Sequence, residues 1–167
     1  MPKALFLDRD GVVNVEKNYL YKIDDFELMD GIVEVCRHYE ANGYLIIIVT
    51  NQSGISRGYY SENDFKNLSE WMIDHFKLLG VTISHIYHCP HHESIDGECA
   101  CRKPEPGMFL EAQSDFDLDM KNSVMIGDNE RDIEAAIRAG ITTNILLSDK
   151  ATESNANKIV RSLKELL

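Results

Sequence analysis

Leu45-Ile46-Ile47-Ile48-Val49 is an unbroken apolar, β-branched run that stops at Thr50-Asn51-Gln52-Ser53-Gly54. A strand with one wet face alternates apolar and polar residues; a continuous run of this length reads as a strand buried on both faces, the habit of parallel sheets covered by helices. Its surroundings agree. Upstream, Ile32, Val35, Cys36 and Tyr39 share one helical face over Ile32–Ala41, with Asn42-Gly43 as the stop. Earlier still, the run Ala4–Leu7 ends abruptly at Asp8-Arg9-Asp10-Gly11. Downstream, Ser61 and Asp64 form a capping box that opens a helix through Phe65, Leu68, Trp71, Met72 and Phe76 to Gly80. Strands over Ile83–Tyr87, Ser123–Ile126 and Thr143–Leu147 follow, with a helix from about Met108 and another through Ile133, Ala136 and Ile137 to Gly140 between them. Asn155–Leu167 reads as a terminal helix. The alternation predicts an α/β fold, a three-layer Rossmann-like parallel sheet with helices on both faces, in one domain over residues 1–167.

Composition narrows the function. Of 167 residues, 44% are hydrophobic and 27% charged, which excludes disordered and low-complexity classes. The formal net charge of −11 opposes nucleic acid and anionic membrane surfaces as partners. The apolar stretch before Asp8 is too short for a signal peptide or a membrane span, so a cytoplasmic protein is expected. Cys36, Cys89, Cys99 and Cys101 are too few and too unevenly spaced for a disulfide framework. Cys36 lies on the apolar face of its helix and reads as a small core residue. Cys89, His91, Cys99 and Cys101 offer three thiolates and one imidazole, a closed tetrahedral set for a structural Zn²⁺, in a loop that leads straight into Arg102-Lys103. His88 and His92 fall outside that set.

Asp8, Thr50, Cys89 and Asp128 each fall just past the carboxyl end of a strand, where open parallel sheets place their ligand crevice. Asp8 and Asp10 face the crevice together if the extended backbone continues past the strand. Asp128 and Asp132 add carboxylates, hard oxygen donors that suit Mg²⁺ shared with a substrate phosphate. Thr50 and Asn51 add donors, and Lys103 adds a point charge for a phosphoryl group. These parts make a kit for phosphoryl transfer through an aspartyl-phosphate.

The sequence resembles the haloacid dehalogenase superfamily of phosphohydrolases: Asp8-Arg9-Asp10-Gly11-Val12-Val13-Asn14 matches the first motif, Thr50-Asn51-Gln52 the second, Lys103 the third, and Gly127-Asp128 with Asp132 the fourth. Within it the likeness is to the D-glycero-D-manno-heptose 1,7-bisphosphate 7-phosphatases, carried by Thr50-Asn51-Gln52-Ser53-Gly54-Ile55-Ser56-Arg57-Gly58 and by Cys89-Pro90-His91-His92 with Cys99-Ala100-Cys101-Arg102-Lys103-Pro104. The resemblance implies an enzyme that removes the 7-phosphate of the bisphosphate in heptose supply for surface polysaccharides; a monomer is expected. It implies Asp8 as nucleophile, Asp10 as general acid and base, and Thr50 and Lys103 on the phosphoryl oxygens. It implies Mg²⁺ on Asp8, the Asp10 carbonyl and Asp128. Substrate recognition falls to Glu16, Lys17, Asn18, Tyr19, Asn51, Gln52, Ser53 and Arg102. Asn129 departs from the pattern, since relatives often carry a basic residue there. Arg57 is either an exposed loop charge or a phosphate contact.

Neither gap between motifs has room for a large cap domain, so the crevice is expected to be open, walled by the loop from Gly11 to about Leu20 and by the zinc loop. Three other functions compete. Histidinol-phosphatases share the metal loop but tend to shorten it and lack the Ser53–Gly58 wording. Polynucleotide 3′-phosphatases share Asp-x-Asp-Gly and Thr-Asn-Gln, against which the acidic charge argues. Receiver-type phosphorylation switches carry their phosphoaspartate after the third strand, whereas the nucleophile candidate here follows the first.

Overall fold

A computed structural model describes residues 1–167. It pairs six parallel strands in one sheet: β1 (Lys3–Leu7), β2 (Tyr44–Asn51), β3 (Ile83–Cys89), β4 (Val124–Gly127), β5 (Thr143–Leu147) and β6 (Lys158–Val160). Their order across the sheet is β3-β2-β1-β4-β5-β6. The chain therefore winds outward from β1 to β3, crosses back, and winds outward again from β4 to β6. The reversal falls between β1 and β4, and at such a switch point the two loops leaving neighbouring strands diverge and open a crevice.

Side-chain alternation along the strands builds two cores. Leu5, Leu7, Ile46, Ile48, Val124 and Ile126 meet Ile32, Val35 and Cys36 of α1 (Ile32–Ala41) and Met72 and Phe76 of α2 (Glu62–Leu78). On the opposite face, Ala4, Phe6, Ile47, Val49 and Met125 meet Met108, Phe109 and Ala112 of α4 (Gly107–Phe116) and Ala135 and Ala136 of α5 (Glu130–Arg138). A fully buried side chain of this kind contributes about 1.5–3 kcal/mol, so residues on both faces of β1 and β2 anchor the three layers. The short α3 (Glu93–Asp96) lies in the metal loop. The Ser61–Asp64 capping box is present at the start of α2, each residue bonding the other's backbone N–H. No helix is long and apolar enough to cross a membrane.

The tail differs from the sequence reading. In place of a helix over Asn155–Leu167, Lys158–Val160 add the sixth strand beside β5, and Leu163–Leu166 form a single tight helical turn. Val160 and Leu163 are both buried in the α1 face of the core. The apolar positions 159, 160, 163 and 166 mimic helical spacing, but pairing with the open edge of β5 satisfies their backbone instead. β2 and β3 also run two residues further than their apolar runs, closing with the rung Asn51–Cys89. That extension carries Thr50, Asn51 and Cys89 to the edge where the crevice lies.

Candidate active site

β1 ends at Leu7, and the Asp8 N–H makes one more rung, to the Ile126 carbonyl of β4 at 3.2 Å. The extended backbone stops there. Val12, Val13 and Asn14 N–H groups all turn back onto the Arg9 carbonyl, so Asp10 reaches the crevice from a turn rather than from a continued strand. Both aspartates nonetheless line one recess of about 280 Å³ with Glu16, Asn51, Lys103, Asp128 and Asp132, and no apolar side chain takes part in its lining.

The two acids have separate cationic partners. The Lys103 Nζ lies 3.0 Å from Asp8 Oδ1, 2.7 Å from Asp132 Oδ1 and 2.9 Å from the Val49 carbonyl, so its three hydrogens are all placed. Its side chain is 1% exposed. Burial alone would lower the lysine, but Asp132 and Asp8 outweigh it and hold it above its ordinary value. Asp10 belongs to Arg9, whose Nη2 donates at 2.9 Å and 3.1 Å and whose other bond from that nitrogen runs to the Leu20 carbonyl. Asn14 Nδ2 and Gln52 Nε2 complete the Asp10 cradle at 3.0 Å each.

Carboxylates crowd the floor. Asp8, Asp128 and Asp132 offer oxygens that all lie within 4.8 Å of one another. Burial, then repulsion from Asp132, push Asp8 well above the usual carboxylate range against the pull of Lys103. Burial and Asp132 likewise raise Asp128, to about 6. One lysine does not neutralise three acids, and an oxygen-only cluster with this excess of negative charge fits a hard divalent cation. Two glycines make the cluster possible. At Gly11, which has φ +90°, an added Cβ would stand 2.0 Å from Asp128 Oδ2, and at Gly127 it would stand 2.4 Å from Asp132 Cβ.

The second motif sits behind the recess. Thr50 Oγ1 accepts from Gln52 Nε2 at 2.9 Å, and Gln52 Oε1 accepts from the Tyr60 hydroxyl, so Gln52 is a buried strut between Asp10, Thr50 and Tyr60. Asn51 exchanges two bonds with the Lys103 backbone, at 3.0 Å and 3.2 Å, and so fixes the start of that residue as the Asp132 pair fixes its end. Of the residues expected to meet substrate, Glu16 and Asn51 line the recess and Arg102 lines the hollow beside it. Lys17 instead pairs with Glu27 at 3.3 Å. Asn18 and Tyr19 both adopt positive φ, and the Tyr19 ring lies 4.6 Å from that of Tyr59. Ser53 accepts the Arg57 N–H at its backbone carbonyl. Arg57 itself reaches His92 Nε2 at 2.6 Å, which ties the loop after β2 to the metal loop.

In that loop, Cys99 Sγ lies 3.7 Å from Cys89 Sγ and 3.6 Å from Cys101 Sγ, while His91 Nδ1 lies 3.5 Å and 3.4 Å from Cys89 and Cys101. A tetrahedral zinc with bonds of about 2.3 Å to sulfur and about 2.0 Å to nitrogen has edges of roughly 3.8 Å and 3.5 Å between those atoms. The four side chains fit that ion. Cys36 is buried in the core, and burial raises its thiol to about 12, the inert state expected of it.

Comparison with known proteins agrees with this geometry. A family model described as HAD-hydrolase-like matches residues 100–166. A D-glycero-alpha-D-manno-heptose-1,7-bisphosphate 7-phosphatase of Campylobacter jejuni is 52% identical over 99% of this chain and 94% of its own. The chain belongs to the haloacid dehalogenase-like phosphatases. A D-glycero-beta-D-manno-heptose-1,7-bisphosphate 7-phosphatase of Photorhabdus laumondii is 43% identical over 98% of this chain and 92% of its own. Among solved structures, the D,D-heptose 1,7-bisphosphate phosphatase of B. bronchiseptica, complexed with magnesium and phosphate, superposes with a TM-score of 0.85 at 27% identity, covering 98% of this chain and 95% of that one. The sheet, with its switch point at β1 and β4, is thus the haloacid dehalogenase-like phosphatase fold. Arg9 and Asn14 of this phosphatase belong to the first motif with no part assigned to them there, and neither Tyr60 nor Arg131 carries a sequence signal of its own. Arg9 was legible only as a residue between two acids. Asn14 and Tyr60 act through side chains whose partners, Asp10 and Gln52, lie across turns.

Proposed function

We propose that this phosphatase, as one domain spanning residues 1–167, hydrolyses the 7-phosphate of a D-glycero-D-manno-heptose 1,7-bisphosphate in heptose supply for surface polysaccharides. The observation that carries the reading is the division of labour between the two aspartates: Asp8 against Lys103, Asp10 against Arg9, both on one recess. In the first step an Asp8 carboxylate oxygen forms a bond to phosphorus as the phosphorus–oxygen bond to C7 breaks, and Asp10 gives its proton to the departing alkoxide. In the second, Asp10 takes a proton from water as the water oxygen bonds to phosphorus and Asp8 is released. Thr50 and Lys103 hold the equatorial oxygens, where charge develops. Asp8, the Asp10 carbonyl and Asp128 are the residues to hold Mg²⁺, which supplies positive charge to the phosphoryl oxygens when bound. The relatives' names, and the magnesium and phosphate named with one solved relative, support this assignment. The reading keeps a monomer of the cytoplasm, with a small sugar phosphate as its partner rather than nucleic acid or membrane.

The test is a comparison of kcat/KM for both anomers of the heptose bisphosphate, for histidinol phosphate and for a 3′-phosphorylated oligonucleotide. One of the heptose anomers should win; a win for either of the other two overturns the reading.

Zn²⁺ in the Cys89, His91, Cys99 and Cys101 set is assigned a structural part. Cys101 and Lys103 are separated by Arg102 alone, so a tether at the cysteine limits where the lysine backbone can sit. Cys99→Ser should lose zinc, melt at a lower temperature and turn over about 10-fold or more slowly. Metal analysis, thermal melting and kcat check it, and zinc loss with both other readings unchanged would remove the positioning part.

A further inference from the structure

We propose that Arg131 binds the second, unreacted phosphate of the substrate and sets the preference for a bisphosphate. The inference rests on the function proposed above and adds a residue to it.

Two hollows flank the recess that holds Asp8. One, of about 620 Å³, opens past Asp128 toward β5 and β6; its charged lining is Asp128, Glu130 and Glu153, and no lysine or arginine faces it. The other, of about 680 Å³, lies between the metal loop and the first turn of α5 and holds Arg102, Lys103 and Arg131. Lys103 and Arg131 line the recess as well, so recess and second hollow adjoin across these two residues. A substrate with its reacting phosphate against Asp8 and a second phosphate at its far end meets opposite surroundings along these two ways. A dianion entering the first meets only like charge, so the second is the way it takes.

Within that second hollow the cations are not equally free. The Lys103 ammonium is held by Asp8, Asp132 and the Val49 carbonyl, at the place of the reacting phosphate. Arg102 has Nη1 on the His91 carbonyl at 3.3 Å. Glu93 and Glu98 are exposed at the rim, and Glu105 is paired with Arg138 at 3.4 Å. Arg131 is exposed, and its guanidinium takes part in no ion pair or hydrogen bond of the protein. Its backbone is the opposite of free. The Asn129 side chain accepts the Arg131 N–H at 3.1 Å and Asp132 closes the same cap, so the backbone that carries Arg131 is fixed while its side chain, with five donors, is part of the hollow's lining. A planar guanidinium matches phosphate oxygens two at a time, a geometry an ammonium lacks.

The experiment compares the wild type with Arg131→Gln and Arg131→Lys on the heptose bisphosphate and on heptose 7-phosphate, which keeps the reacting phosphate and lacks the other. Because the exposed Arg131 side chain makes no hydrogen bond or ion pair in the folded protein, melting temperatures should coincide. Arg131→Gln should raise KM for the bisphosphate by about 10- to 100-fold with kcat within about twofold, the size of a lost charged hydrogen-bond pair. Kinetics on heptose 7-phosphate should not move, and Arg131→Lys should recover part of the loss. An unchanged KM for the bisphosphate, or an equal rise for both substrates, overturns the proposal while leaving the phosphatase reading intact. A wild type that prefers histidinol phosphate or the monophosphate overturns the reading and the proposal with it.

Discussion

Replacing Asp8 with asparagine is expected to lower kcat by roughly 10⁴-fold or more, with the fold retained. The amide is nearly the shape of the carboxyl but has no electron pair basic enough to attack phosphorus, so the first step has no nucleophile. Stability should move the other way. Asp8 sits with its carboxyl raised well above the ordinary range by burial and by Asp132, which means its charged form is unfavourable in the folded protein. For an acid raised in this way, the stability it contributes at low pH is lost as pH climbs through the folded value. A neutral side chain removes that loss, and Lys103 keeps Asp132 at 2.7 Å as a partner. In magnesium-free buffer near pH 7.5 the variant should therefore melt no lower than the wild type. Residual turnover above about one part in 10³ would remove Asp8 as the nucleophile.

Lys103→Met should be the most destabilising single change at the site. Methionine fills a similar volume, but it leaves Asp8 and Asp132 facing each other in a buried place without the ammonium that lies 3.0 Å and 2.7 Å from them. Losing one partner of a buried ionic cluster costs about 3–5 kcal/mol. The pH dependence has a definite sign. Asp8, held well above the usual carboxylate range by burial and by Asp132, gives up its charge as pH falls, and with it the repulsion, so the deficit should be largest near pH 7.5 and shrink toward pH 5. Chemical denaturation at the two pH values measures it, and a deficit that is small or constant with pH would show that the lysine is not their counter-charge. Turnover should fall by about 10²- to 10³-fold, in keeping with the loss of one preorganised charge from the transition state.

The parts of this molecule legible in its sequence are those whose signal is local. Leu45–Val49 announces a doubly buried strand because both neighbouring layers demand apolar side chains, and β5 over Thr143–Leu147 matches the expected strand to the residue. The motif residues are legible because chemistry fixes their types and because strand ends fix their place. The tail was not legible: Lys158–Val160 is too short to display a period of two, and its identity as a strand is settled by the free edge of β5. For the same reason the Arg9–Asp10 pair, the Tyr60–Gln52 bond and the exposure of Arg131 were hidden. Each depends on which turn faces which, a property of the assembled crevice rather than of any segment.

The position of β1 has a bearing on how the chain reaches this state. The strand that ends in Asp8 is central to the sheet, yet one of its neighbours, β4, begins about 120 residues later, with Leu5 opposite Val124. During synthesis β1 can pair early with β2, its Leu5 beside Ile46, but its other edge stays open until most of the chain has been made. That open edge is flanked by apolar side chains on both faces, the kind of segment that joins other chains when it is left waiting. Refolding should consequently be paced by the late return of β4, and crowding of nascent chains is the condition under which yield will suffer first.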